Sequence, residues 1–422
     1  MDKQIFFTIN YVFQGYPCCR EFGLKLSQGR WNEIFYIFYS DPSSALALKI
    51  KINDILTKES VWNMIRYPIR NNDIYGVEEF NLYSFKNDYS EGAHPRILQA
   101  LIDSNFVQED GYGGDRFTQQ AIDLLKGKIG RTDVDIHLLS GGTQTNLTAI
   151  SSFLRPHEAA IAADTGHILT HETGAIEATG HKIISVQTNN GKLNPAQIKT
   201  VLDLHTDEHM VKPKLVYISN STEIGSIYSK DELTDLRSFC QKRNLILYMD
   251  GARLGSALRS EENDLKLSDL PALVDAFYIG GTKNGALLGE ALVICNDSLK
   301  EDFRFHLKQK GGLLAKGRLL GIQFLELFRD DLFFELAQHA NKMATILREE
   351  CSNANFSFLS HSPSNQIFPI MPDNLIVELQ KKYSFIVWEK IDSTHSAIRL
   401  VTSWATKEEE VRGFVEYMKN HI

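Results

Sequence analysis

Residues 214–250 read KLVYISNSTEIGSIYSKDELTDLRSFCQKRNLILYMD, and this stretch decides the fold. KLVYISN and LILYMD are short apolar runs without the polar alternation of a strand wetted on one face. Between them KDELTDLRSFCQKRN reads as a helix. Two such runs joined by a helix are what a parallel sheet produces when both of its faces are covered.

The same rhythm continues in both directions. VDIHLLSGG (134–142), EAAIAAD (158–164) and KIISVQT (182–188) precede it as strands, with TQTNLTAISSFL (143–154) and NPAQIKTVLDLH (194–205) as helices. DAFYIGG (275–281) and ALVIC (291–295) follow as strands. The expected fold is α/β, a mostly parallel seven-stranded sheet covered by helices. Ahead of it, PRILQALIDS (95–104) is a helix opening on proline, and RFTQQAIDLLKGKIG (116–130) one that glycine stops. Long helices fill 300–350. FSFLS, QIFPIMP, YSFIVWEK and IRLVTSW, with a last helix KEEEVRGFVEYMKN, then form a small C-terminal α+β domain. The expected division is a large domain over 81–325 and a small one over 326–422.

Residues 1–80 stand apart. They hold 15 of the 43 aromatic residues, about 19% of the segment against about 8% of the remainder. WNEIFYIFYS reads as a strand or a buried helical turn, and SALALKIKINDIL alternates only in part. No catalytic constellation stands out there, and the segment is left unassigned to the enzyme: it reads either as an accessory segment that packs its aromatics on the core or, the reading preferred, as the product of a start codon placed too early. MDKQIFFTINYVF is interrupted by Thr8 and Asn10 and opens on Asp2, unlike a signal peptide.

The 422 residues carry 23% charged and 43% hydrophobic residues, which excludes collagen-like and disordered classes. A net charge of -8 argues against nucleic acid or an anionic membrane as main partner. No run of 18 uncharged apolar residues exists to span a bilayer. Five cysteines (Cys18, Cys19, Cys240, Cys295 and Cys351) form no framework, which suits a reducing, cytoplasmic setting.

Asp250 ends the LILYMD run, and ligands of open α/β sheets bind at such strand ends. An aspartate there can equally cap the next segment. Lys283 follows DAFYIGG amid glycines, where a lysine is ordinarily a surface residue. Desolvated beside a ligand, its amine becomes a nucleophile. A strand-end aspartate with such a lysine suits pyridoxal 5'-phosphate: the amine holds its aldehyde and the carboxylate keeps its ring nitrogen protonated. SGGTQTN (140–146) opens a helix after glycines, as a phosphate site does, and lacks the nucleotide-binding lysine. DTGHILTHETGAIEATGH (164–181) crowds His167, His171, Glu172 and His181 together. The spacing of His167 and His171 would suit a metal on a helix, but no third ligand supports it and the glycines argue against that helix, so no metal is expected. An imidazole there can stack on a flat cofactor or move a proton.

With these motifs placed in order, residues 85–415 resemble the threonine aldolase and β-eliminating lyase family of fold type I pyridoxal-phosphate enzymes. FKNDYSEGAHP (85–95) is similar to the family's opening segment, which implies substrate contacts for Asn87, Asp88 and Ser90. QEDGYGGD (108–115) resembles D-x-Y-G-x-D, which implies that Tyr112 approaches the active site. By the same resemblance Gly142 and Thr143 would bind phosphate, His167 would stack on the ring and Glu172 would support the site. MDGARL (249–254) matches almost letter for letter, implying Asp250 at the ring nitrogen and Arg253 at the substrate carboxylate. Lys283 takes the Schiff-base role with Thr282 beside it. In KQKGGLLAKG (308–317), Lys316 would reach a neighbouring subunit's phosphate. IRLVTSW resembles I-R-x-V-T-H and makes Arg399 a second carboxylate clamp.

Three departures bear on activity. The E-N-T-H-N segment of the family is SNSTEIGSIYS (219–229) here, without its histidine; an aromatic position before Glu172 is His171; and NGALLGE follows Lys283. The expectation is cleavage of threonine or allo-threonine to glycine and an aldehyde, with His167 and His171 serving the proton. A β-eliminating lyase or aminotransferase on another small amino acid is the alternative, and a binding protein without turnover the third reading. The resemblance also implies a homodimer or homotetramer with active sites at the interface.

Overall fold

The computed structural model describes the backbone of residues 33–41 and 44–51, and residues 82–422 in full. These belong to two separate units, and each is taken by itself. The first contains an antiparallel hairpin, β1 (Glu33–Asp41) and β2 (Ser44–Lys51), with Ile37 opposite Ala47. WNEIFYIFYS is therefore mostly strand. SALALKIKINDIL, which alternates only in part, is strand over Ser44–Lys51, and the remaining expectations for residues 1–80, the early start codon among them, lie outside the described residues.

In the second unit a two-residue strand β3 (Tyr83–Ser84) precedes the main sheet. That sheet has seven strands: β4 (Asp135–Leu139), β5 (Glu158–Ala163), β6 (Ile183–Val186), β7 (Lys212–Ser219), β8 (Ile246–Asp250), β9 (Ala276–Gly280) and β10 (Glu290–Ile294). Their order is β4-β10-β9-β8-β7-β5-β6, and only β10 runs against its neighbours. The expected mostly parallel α/β sheet is what forms.

Burial on both faces explains the strand composition. In β8, Leu247 and Met249 enter one apolar core while Ile246 and Tyr248 enter the other. Successive side chains point to opposite faces, so a strand covered twice has no position for a polar residue until its end. The crossover helices are delimited by local chemistry. Pro95–Asp103 has proline at its first position, and Arg116–Ile129 ends on Gly130 at φ 74°. Pro195–Leu204 and Lys230–Lys242 each begin in a capping box, Asn194 with Gln197 and Ser229 with Glu232.

The C-terminal region has its own sheet from β11 (Gln366–Ile367), β12 (Ile370–Pro372), β14 (Ile386–Lys390) and β15 (His395–Val401). FSFLS, read as a sheet segment, forms no strand: Phe358 makes a single bridge to Pro369. A third core gathers Met343, Leu347, Leu379, Ile398 and Phe414 with Phe85 from the start of the unit. There β3 pairs in parallel with β13 (Tyr383–Ser384), and Phe85 exchanges backbone hydrogen bonds with Ser384 and Val401. Cys240, Cys295 and Cys351 are buried free thiols, and burial pushes each up to about 12.

The ends of β8 and β9 approach closely at Gly251. A methyl there would stand 1.8 Å from the Tyr278 carbonyl oxygen, so no rotation relieves it. Gly251→Ala should destabilise the protein by about 3 kcal/mol or more, read as a lowered urea midpoint at unchanged slope.

Candidate active site

The candidate residues converge where the parallel strands end. Asp250 closes β8, and both of its oxygens are saturated. Oδ2 accepts from Tyr217 (2.6 Å) and from Asn146 Nδ2 (3.0 Å). Oδ1 accepts from Tyr278 (2.5 Å) and the Ala252 amide (3.0 Å). Burial works to raise its pKa, but the His167 imidazole and the donors Tyr217, Tyr278 and Asn146 prevail and hold it below the usual carboxylate range. A permanently ionised carboxylate results.

Lys283 stands in the loop after β9. Burial, then the Arg253 guanidinium, push its amine below the usual lysine range against the pull of Asp88, Asp250 and Glu290. The Tyr89 ring lies 5.9 Å from its Nζ. The amine is thereby prepared as a nucleophile.

His167 opens a single helical turn, His167–Thr170, in the stretch whose glycines had argued against a helix. One turn satisfies both: Gly166 precedes it and Thr173–Gly174 leave it at positive φ. Its Nδ1 meets Glu172 Oε1 at 2.8 Å and its amide donates to Glu223 Oε1 at 2.9 Å. Glu172 also accepts from Asn146 (2.8 Å), with no exposed side-chain surface. Glu172 therefore fixes the imidazole from below and presents nothing to a substrate. His171 lies with its ring 5.5 Å from that of His167. Burial, and the charges of His167, Arg399 and Lys283, keep its pKa below the usual histidine value.

The two arginines differ. Arg253 donates to Asp88 through Nε (2.7 Å) and Nη2 (3.0 Å), and Asn365 adds a third donor to Asp88 at 2.9 Å. Only Nη1 of the expected carboxylate clamp remains outside that pair. Arg399, on β15, has Nη2 on the Lys86 carbonyl (3.0 Å), its guanidinium 5.0 Å from the Trp388 ring, and a buried Nε with no partner. An unpartnered buried donor is uncommon in a folded protein, and it leaves this guanidinium with hydrogen-bonding capacity to spare.

Gly142 begins the helix Gly142–Phe153, whose cap Gly141 offers no side chain, so the amides of Gly142, Thr143 and Gln144 lack acceptors. The Thr143 side chain is exposed beside them. Thr282, expected at the cofactor, turns inward and accepts from the Gly289 amide at 3.0 Å. Asn87 and Ser90 hydrogen-bond each other (2.9 Å) in the turn that carries Asp88. Tyr112 is half-exposed with Lys308 Nζ 4.3 Å from its ring, and Lys316 is exposed on the Gly311–Gly317 loop.

Sequence reasoning missed Asn146, Tyr217, Tyr248, Tyr278, Glu223, Asn365 and Glu290. Three were visible as tyrosines inside apolar strands, with Tyr217 two residues before Ser219 and Tyr248 two before Asp250. Period two puts each pair on one face. What linked them was register, Tyr217 opposite Tyr248 and Ser219 opposite Asp250. A desolvated amine, an ionised carboxylate, an imidazole fixed by a buried carboxylate and an uncapped helix together fit a cofactor with an aldehyde, a ring nitrogen and a phosphate. Pyridoxal phosphate has all three.

The comparisons agree in direction. The Beta-eliminating lyase family model matches residues 93–373. The low specificity L-threonine aldolase of Pseudomonas aeruginosa is 32% identical over 335 residues, 78% of this chain and 94% of that protein. A Leishmania major threonine aldolase structure superposes with TM-score 0.79 at 50% identity, covering 80% of this chain and 99% of that one. A Thermus thermophilus aspartate aminotransferase, 13% identical with TM-score 0.61 over 81% of this chain and 92% of its own, shares the fold.

Removing one member of the buried Arg253–Asp88 pair strands the other. Arg253→Ala should cost about 3–5 kcal/mol of folding free energy by urea denaturation, whatever it does to substrate binding.

Proposed function

The chain belongs to the threonine aldolase and β-eliminating lyase family of fold type I pyridoxal-phosphate enzymes, and from that membership we propose that it cleaves threonine or allo-threonine to glycine and acetaldehyde. The observation that carries this reading is His171, whose ring stands 5.5 Å from that of His167 and whose pKa burial lowers from the ordinary histidine value. A neutral imidazole at that place accepts a proton from a β-hydroxyl.

Pyridoxal phosphate, when bound, supplies the sink for the electron pair released as Cα–Cβ breaks. Lys283 would hold its aldehyde, Asp250 its protonated ring nitrogen, and the amides of residues 142–144 with the Thr143 hydroxyl its phosphate. His167, pinned by Glu172, would cover the ring face and keep water from it. Arg399 would take the substrate carboxylate, with Arg253 Nη1 as second donor. His171 removes the hydroxyl proton. Tyr112 and Lys316, both exposed on the single chain, suit a homodimer or homotetramer in which a second chain completes each site.

SNSTEIGSIYS, with Glu223 where the family histidine segment lies, favours β-elimination or transamination as the second reading. Product analysis separates them. Holoenzyme given threonine and allo-threonine should release glycine and aldehyde; a keto acid from another amino acid without glycine would overturn the aldolase reading. Lys283→Ala should abolish the visible absorption band and turnover. His171→Asn should slow cleavage by roughly 100- to 10,000-fold. Because burial lowers the His171 pKa from 6.5, the acid limb of the pH profile should fall below pH 6.5.

A further inference from the structure

SNSTEIGSIYS, the segment without the family's histidine, places an acid against His167. β7 ends at Ser219, beside Asp250 at the end of β8. The loop 220–229 that follows is fastened at several points. Tyr228 donates its amide to Asn220 Oδ1 (3.2 Å), and the Ser226 hydroxyl donates to the Asn190 carbonyl (2.7 Å). From the C-terminal region the Ser360 hydroxyl donates to the Ile224 carbonyl (2.8 Å) and the Ser362 hydroxyl to the Gly225 carbonyl (3.2 Å). Glu223 is therefore carried on a loop with little freedom to move.

The half-buried Glu223 carboxylate uses one oxygen twice. Oε1 accepts from the His167 amide at 2.9 Å and from the Ser219 hydroxyl at 2.8 Å. That amide opens the single turn His167–Thr170, and the Gly166 before it has no side chain to cap it. A first-turn amide has no partner within its own turn, so Glu223 supplies the acceptor from across the site. The same histidine is held at its other end, where Nδ1 meets Glu172 Oε1 at 2.8 Å. Glu172 fixes how the ring is turned; Glu223 fixes where the main chain that carries the ring lies. Either bond alone would leave the imidazole one freedom.

We propose that Glu223 is a positioning residue for His167, fixing through its main chain the imidazole that would cover the cofactor ring. The loop that lacks the family's histidine thus serves the histidine of another loop, and the Ser219 hydroxyl ties that service to the end of β7. No bond is made or broken. Accepting these two hydrogen bonds needs only an oxygen lone pair, which a carboxylate, a carboxylic acid and an amide all possess. The inference rests on His167 being the residue over the ring.

A double-mutant cycle tests this, with Glu223→Ala, His167→Ala and the two combined, and with Glu223→Gln as the conservative variant. The first readout is the dissociation constant of pyridoxal phosphate, by visible-absorbance titration; the second is kcat and KM with threonine. E223A should raise the dissociation constant about tenfold and lower kcat about tenfold while KM changes little. E223Q keeps an oxygen for both donors and should stay within about twofold of the wild type. H167A should weaken cofactor binding by itself, and adding E223A to it should change the constant no further, because what Glu223 positions has gone. Wild-type affinity and kcat in E223A overturn the inference. So does an E223Q as impaired as E223A, which would make charge the active property, or an undiminished cost of E223A in the H167A background, which would trace it to loop packing. An H167A that binds pyridoxal phosphate as tightly as the wild type overturns the reading of His167 and this inference with it. The titration needs no turnover, so it decides the inference whether or not threonine is the substrate.

Discussion

The hydrogen-bonded burial of Asp250 is the constraint around which the site is organised. An isolated carboxylate deep in a protein would take up a proton. Four donors from four places prevent that: Tyr217 from β7, Tyr278 from β9, Asn146 from the helix after β4, and the turn amide of Ala252. Three adjacent strands must therefore be in correct register for one side chain to remain ionised. Asn146 extends the arrangement, since the same Nδ2 that reaches Asp250 also reaches Glu172, which fixes His167. The aspartate and the imidazole are thus set by a single amide.

Acids around this centre are used differently because their surroundings differ. Asp88 and Asp250 are held ionised by cations and donors, whereas Glu223 and Glu290, with fewer donors, are raised by burial. Environments that drive like groups apart are how one site keeps both charged and neutral acids at one pH. The pairing of Arg253 with Asp88 divides the arginines as well, one largely structural and one with an open donor.

Most of the fold was legible because burial on both faces is a local property of composition. VDIHLL, LILYMD and DAFYIGG could be read one by one. FSFLS misled because its apolar character serves packing at Phe356 and Phe358 without strand pairing. In the site, Asp250, Lys283, His167 and Arg399 were legible from their motifs, and their partners were not. A tyrosine in a strand is ordinary core until register sets it opposite another strand. Asp88 and Arg253 lie 165 residues apart, so no spacing announces their bond. Glu172 was expected to support the site, but nothing in its sequence position announced that it does so through His167 and Asn146.

The chain enters this unit through the C-terminal core. Phe85 is fastened by backbone bonds to Ser384 and Val401, the Lys86 carbonyl receives Arg399, and two residues later Asp88 grips Arg253 on the large sheet. The strap from Phe85 to Asp88 therefore joins the C-terminal sheet to the arginine that follows β8 within four residues. Through Lys86 and Asp88 one short segment touches both guanidinium groups, so its backbone course sets the spacing of the two charges that would grasp a substrate.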